Sequence, residues 1–380
     1  MAAPAAAPEG VVTHESVVAT PSATPSTVDA SAGDLGTERL TSNSLGPVGI
    51  YHLESADIGA PNVLRLGLYG QYFRNNNFPV LEANDERSIG ILNLAYAPLK
   101  FLDVYGGTQI SSNVSSGSHG TSPNFVGELG DFWVGVKAGG YVAGGLALGG
   151  DLRGYGYSGV GTSGVGAGAF APTFLLTYDT LQVSHFPLRA HLNLGGFFGN
   201  LNNLTTTNDL GQPVTLRAPE QFALGYTPYN QFRAGVGVEI PLPDVTPFVE
   251  YEMMAPIGTG ALVGPDQAPV SYGQALPNDL DFGLRVTAVR DISFLAAVDV
   301  AFQERVALGV PILPPWEAFL GVSYNWDPVV RGSVKTVETV KTVQQPVAAP
   351  EENGQIGGTV VDADTGKPIG GALITVNGAD

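Results

Sequence analysis

The chain has 380 residues, with 17 Lys and Arg against 35 Asp and Glu and a formal net charge of −18. That balance argues against nucleic acid as a partner, because neutralising phosphates takes clustered cations. There are no cysteines, which removes disulfides and thiolate metal sites.

Charged residues make up only 14% of the chain, against about 25% in ordinary soluble domains. Hydrophobic residues reach 44% and glycines number 51, yet no long unbroken apolar run occurs. This argues against a membrane-spanning helix and for hydrophobicity spread in a weaker pattern. Barrel strands supply such a pattern, since only every second residue need face lipid.

The chain begins Met-Ala-Ala-Pro, with no charged and then apolar leader. An exported barrel would therefore require a secretory signal that has been removed. Residues 1–60 are rich in Ala, Pro, Ser and Thr. They are expected to be a flexible lead that buries too little to offset its ordering entropy, with local order near 49–58.

From residue 61 the texture alternates. Leu64, Leu66 and Leu68 interleave with Arg65, Gly67 and Tyr69, and equivalent runs follow near 88–97, 101–110, 128–139, 145–156 and 168–178. More come near 188–198, 230–240, 246–254, 279–288, 292–303 and 316–326. The last is the clearest. Trp316, Ala318, Leu320, Val322, Tyr324 and Trp326 share one face, opposite Glu317, Phe319, Gly321, Ser323 and Asn325. Its length suits a tilted membrane strand, and its apolar face ends in aromatics where an interfacial girdle would lie.

Connection lengths alternate too. Long polar stretches near 75–87, 111–127, 157–167, 199–229, 255–278 and 304–315 separate short turns near 98–100, 140–144, 241–244 and 290–291. Outer-membrane barrels sort their connections in this way, with long extracellular loops, short periplasmic turns and both termini in the periplasm. The expected fold is therefore all-β, a transmembrane antiparallel up-and-down β-barrel of about twelve strands over 61–327. A periplasmic linker at 328–355 and a truncated accessory β-sandwich at 356–380 would follow.

The segment 62–326 resembles the barrels of OmpA-like outer-membrane proteins, with more strands than the eight-stranded prototype. Within it, Gly321, Tyr324 and Trp326 resemble the signal by which such proteins engage the barrel assembly machinery, although Phe319 stands where that signal prefers a polar residue. The tail, through Gly358, Val360, Asp362, Thr365, Gly366, Pro368, Gly371 and Ala372, resembles the start of a carboxypeptidase regulatory-like domain. That family is an accessory β-sandwich without catalytic residues, and the chain would stop inside it. These resemblances imply outer-membrane lipid, lipopolysaccharide and other envelope or cell-surface proteins as partners. They also imply roles such as cell-surface motility or outer-membrane exchange.

The candidate site is the lumen. Face assignment directs Asp103, Asp131, Asp151, Glu239, Glu250, Glu252, Asp281, Asp299 and Glu317 inward, with Lys137, Arg153, Arg189, Arg233 and Arg285. Mixed signs in a crowded interior favour a paired structural network, because unpaired buried charge is costly. A narrow conducting pore is the alternative. No cofactor or metal is expected: Gly159–Gly164 matches a dinucleotide pattern but lacks the following helix, and the acidic turn at 362–366 lacks the remaining calcium ligands. An enzyme is not expected either, since His191 is the one lumen-facing histidine and no nucleophile can be assigned to it. The expected function is a structural outer-membrane anchor that presents surface loops and couples to periplasmic domains. An outer-membrane channel with a narrow charged lumen is the competing reading.

Overall fold

A computed structural model describes residues 41–327, except 118, 120–124, 159–164, 185, 202–215 and 290. The expected linker, the accessory sandwich and the glycine-rich 159–164 lie outside the described residues.

Among the described residues, twelve strands close into one antiparallel barrel in chain order. They are β1 (Leu64–Asn76), β2 (Asn84–Leu99), β3 (Leu102–Ser116), β4 (Phe125–Ala143), β5 (Leu146–Ser158) and β6 (Val165–Asp179). Then follow β7 (Arg189–Gly199), β8 (Asn230–Glu239), β9 (Val245–Ile257), β10 (Asn278–Val289), β11 (Ile292–Ala301) and β12 (Trp316–Trp326). The seam joins β1 to β12, with Leu64 opposite Trp326, Leu68 opposite Val322 and Tyr72 opposite Ala318. Closure leaves no unpaired strand edge, which is what an apolar solvent demands of a sheet.

The alternation seen in the sequence becomes the two faces of the wall. On β12, Trp316, Leu320, Tyr324 and Trp326 are exposed outward while Glu317, Phe319 and Ser323 are buried inward. Outward Leu66, Leu68, Leu92, Leu94, Val134, Val136, Leu152, Val236, Val249 and Leu284 continue one apolar belt around the barrel. Exposed aromatics edge it: Tyr96, Phe101, Tyr178, Tyr324 and Trp326 at the end where β1 begins, and Phe125, Phe170, Phe232 and Trp316 at the other. The 11 residues of β12 span roughly 36 Å extended, and a tilt of about 40° leaves about 28 Å of height, enough for the apolar band of an outer-membrane barrel. No helix among the described residues is long and apolar enough to cross a membrane. The architecture is that of an outer-membrane β-barrel.

β4 runs for 19 residues, well past the 128–139 that its alternation suggested. Residues 125–127 extend it toward the long loops and 140–143 toward the short turn before β5. At the loop end, the long loops fold over the mouth. The short helix Ala218–Leu224 is stopped by Gly225, whose φ of 57° favours a residue without a side chain. Phe222 of this helix stacks edge-on against Phe73 and Phe78 at centroid distances of 5.6 and 4.9 Å. The guanidinium of Arg87 lies 4.2 Å from the Phe222 ring centre. Tyr272, in the next long loop, stays exposed.

One expectation is corrected. Within the lead of residues 1–60, expected to be flexible with local order only near 49–58, residues 41–58 are packed inside the barrel, almost all of them buried. Bridges Ser42–Val48 and Gly49–Glu54 fold this stretch back on itself. It has no alternating pattern because it is not wall; its order comes from the wall around it.

Candidate functional site

The site is the charged lumen together with the plug formed by 41–58. All fourteen charged residues assigned inward by alternation lie on the lumenal side of the wall, with Arg233 and Glu252 half-buried and the others buried. Their partners differ from the expected wall-to-wall network: a large share of the bonding goes to the plug.

The cationic side shows this most directly. Lys137 of β4 donates to the carbonyl oxygens of Val48, Ser55 and Asp57 at 2.9, 2.8 and 3.1 Å. Arg285 of β10 donates to those of Gly49 and Ile50 at 2.9 and 2.6 Å. Arg153 of β5 pairs with Glu54 of the plug and with Asp151 of its own strand. Arg189 of β7 lies 3.6 Å from Asp57, 3.3 Å from Asp179 and 3.7 Å from Glu239. An irregular segment satisfies only part of its own backbone groups, so a buried one needs side chains for the rest.

The wall also supplies an acceptor. Glu250 of β9 accepts from the backbone N–H groups of Tyr51, His52 and Leu53 at 2.7, 3.0 and 3.3 Å. The Tyr51 hydroxyl donates to Asp299 at 2.9 Å, and its ring packs on Phe319 with centroids 4.2 Å apart. Glycines make room for the plug. A Cβ at Gly235 or Gly237 of β8 would stand 2.5 or 2.9 Å from a methyl of Leu53. The seat is therefore shaped for this segment.

The two halves of the wall treat charge differently. Cross-strand register places Asp103, Lys137 and Asp151 side by side on β3, β4 and β5, so signs alternate. Asp103 is further paired with Arg65, a lumenal cation outside the predicted set whose parity was readable beside Leu64 and Leu66. On the opposite wall Glu250, Asp281, Asp299 and Glu317 stand directly across from one another on β9 to β12. Like charges directly opposite are destabilising. Asp279, also outside the predicted set, pairs in register with Glu252. Against these carboxylates stand Arg87, 3.5 Å from Glu317, and His52 of the plug, 3.8 Å from Asp299. Among the described residues, neither carboxylate oxygen of Asp281 has a hydrogen-bond partner.

His191 donates or accepts between Thr177 at 3.1 Å and Glu239 at 3.2 Å. The connectivity is that of a nucleophile, base and acid. The hydroxyl of Thr177 is buried and accepts from the N–H of Ala56 at 2.9 Å, so it is bonded to the plug. The set holds the plug.

A cavity of about 150 Å³ remains beside the plug, lined by His52, Glu54, Arg153, Asn193, Arg233 and Glu252 among others. Arg233 bonds Gln231 at 2.9 Å and lies 4.2 Å from the Phe197 ring centre. Asp131 is buried on β4. Of the three residues likened to an assembly signal, Tyr324 and Trp326 face outward at the belt edge, whereas Gly321 lies under the ring of Tyr69.

No protein-family model matches the chain, and no curated protein sequence matches it significantly. Neither the OmpA-like nor the carboxypeptidase regulatory-like resemblance is supported by such a match. Among solved structures the chain is similar to the NanC porin, with 13% identity over 68% of this chain and 98% of that one and a TM-score of 0.40. It is similar to an outer membrane channel from Pseudomonas putida F1, with 10% identity, 71% and 98% covered and a TM-score of 0.48. It is also similar to the translocator domain of the autotransporter NalP from Neisseria meningitidis, at 10% identity, 71% and 90% covered and a TM-score of 0.41. At these identities and scores none of them bears on what this chain binds or does.

Proposed function

We propose that this chain is a bacterial outer-membrane β-barrel acting as a closed structural anchor, with residues 41–58 as its seal and without enzymatic activity. The observation that carries the reading is the bonding of Lys137, Arg285 and Glu250 to the plug backbone. Three separate stretches of wall are committed to holding one internal segment. A permanent pore would not need that arrangement. The belt contacts outer-membrane lipid and lipopolysaccharide, with Gly321, Tyr324 and Trp326 as the element read by the assembly machinery. The end where β1 begins and β12 stops faces the periplasm, so residues 328–380 connect there to envelope partners. The loop side, including exposed Tyr272, offers the surface for cell-surface partners, as a role in motility or outer-membrane exchange would require.

The competing reading is a channel whose plug is a gate. It is favoured by the cavity beside the plug and by the polar character of the plug's bonds. Single-channel conductance of the purified full chain in planar bilayers separates the two. The anchor predicts no sustained conductance. Steady opening of the wild-type chain, at ordinary voltages, would replace the anchor with the gated channel.

A further inference from the structure

The acidic half of the lumen has an unmet need that its own residues do not supply. We propose that Glu250, Glu252 and Asp281 form a binding site for a hard divalent cation of the calcium class, which braces the plug against β9 and β10. The inference holds whether the barrel is an anchor or a gated channel.

Glu250 and Glu252 are two residues apart on β9 and so share its lumenal face, and Asp281 stands directly across from Glu250 on β10. One oxygen from each lies within 4.8 Å of the other two. Two ligands on opposite sides of a calcium ion, each about 2.4 Å from it, are roughly 4.8 Å apart, so the triad has the spread of a shared ion.

A cluster of acids alone would say little, since acids often meet at a solvated surface. The distinguishing observation is Asp281. Its side chain is buried, and among the described residues neither of its oxygens accepts a hydrogen bond. A buried carboxylate is ordinarily bonded or paired, because an isolated one pays a large desolvation cost. Asp281 also has carboxylates on both flanks, Glu250 on β10's one side and Asp299 on its other. A cation at the triad answers both problems.

The remaining coordination has a source. Glu252 lines the 150 Å³ cavity, and a water occupies about 30 Å³, so several fit beside the triad. Calcium takes six to eight oxygen ligands and tolerates irregular geometry, whereas magnesium requires a near-ideal octahedron. The ion would act on the plug through Glu250, whose oxygens already accept from Tyr51, His52 and Leu53.

A second set, His52 with Asp281 and Asp299, also has ligand atoms within 4.8 Å of one another and would suit zinc. Both sets draw on the same Asp281, so they are alternatives, and the all-oxygen triad is the one that suits a hard cation and borders the cavity through Glu252.

The test uses the full chain refolded in neutral detergent free of lipopolysaccharide, with terbium as a luminescent calcium probe sensitised by Tyr51. Terbium emission should saturate at one equivalent and be displaced by calcium. Asp281→Asn and Glu252→Gln should each weaken calcium displacement at least tenfold, while Asp266→Asn in an exposed loop leaves it unchanged. Glu252→Gln is the safer variant, because Glu252 is only half-buried. Folding of each variant is checked by heat-modifiable migration. Emission that never saturates, or that survives both substitutions unaltered, overturns the site. Tight zinc binding lost in His52→Ala, with no calcium binding, also overturns it in favour of the other set.

Discussion

The ammonium of Lys137 on β4 lies 2.8 Å from the carbonyl oxygen of Ser55, and it is fully enclosed between the wall and the plug. Two further carbonyls, of Val48 and Asp57, complete its hydrogen-bonding capacity. A cation three bonds deep in a closed site is more than a neutraliser. It sets where 48–57 can sit.

Lys137→Met should therefore loosen the plug without opening the barrel. It removes three charge-assisted bonds and leaves the carbonyls of Ser55 and Asp57 to find water, while that of Val48 keeps the Ser55 N–H at 2.9 Å, at a cost on the order of 3–5 kcal/mol. The readout is hydrogen exchange of residues 41–58 in detergent, which should accelerate several hundredfold while β12 stays protected. Unchanged exchange over 41–58 would mean that the plug is held by other contacts.

Gly237→Leu tests the same seat from the apolar side. A Cβ at this position would stand 2.9 Å from Leu53 and 3.2 Å from Ile50, so a larger side chain and the plug cannot share the space. The expected outcome is a folded barrel with its plug displaced, seen as new conductance and as protease cleavage within 41–58. Gly154→Ala is the matched control, because its added Cβ meets nothing within 4 Å. Equal behaviour of the two variants would show that Leu53 is not seated on β8.

The contrast between wall and plug explains what the sequence could disclose. Strand residues such as Leu320 and Glu317 alternate because they face different media, and that parity survives without knowledge of any neighbour. It also places Arg65 and Asp279 inward. The acid row from Glu250 to Glu317 is different. It depends on register across four strands, which turns and bulges such as the shift between Val286 and Val289 determine. The plug is harder still. Its 41–58 stretch has no period, and its apolar Val48, Ile50, Leu53 and Ile58 hint only at local order. Its fixed position follows from Lys137, Arg285 and Glu250, which converge only once β1 has closed on β12.

Gly321 has two candidate roles that can be separated. In the structure its Cα leaves space for the ring of Tyr69, and a Cβ there would stand 1.9 Å from that ring. If packing is the whole of its role, Gly321→Ala should slow refolding into pure lipid vesicles, and Tyr69→Ser in the same chain should restore it. If recognition by the assembly machinery matters as well, the double variant will refold in vesicles yet insert poorly in cells. Normal refolding of Gly321→Ala by itself would show that the Tyr69 contact yields cheaply.

The seam offers the sharpest test of the face assignment, because adjacent residues of one strand should fail differently. Val322 lies near the middle of β12, between Phe294 of β11 and Leu68 of β1, on the apolar face. A lysine there would meet hydrocarbon, at a cost of about 2–4 kcal/mol near the midplane. Ser323 faces the lumen, where its hydroxyl lies 2.8 Å from that of Ser293. Ser323→Ala removes one neutral hydrogen bond, worth about 1 kcal/mol. Urea titration in lipid vesicles should therefore show a clear loss for Val322→Lys and a small one for Ser323→Ala. The order matters more than either value. If the alanine at 323 were the more damaging change, the apolar face of β12 would not be facing lipid, and the membrane-spanning reading of the belt would fail with it.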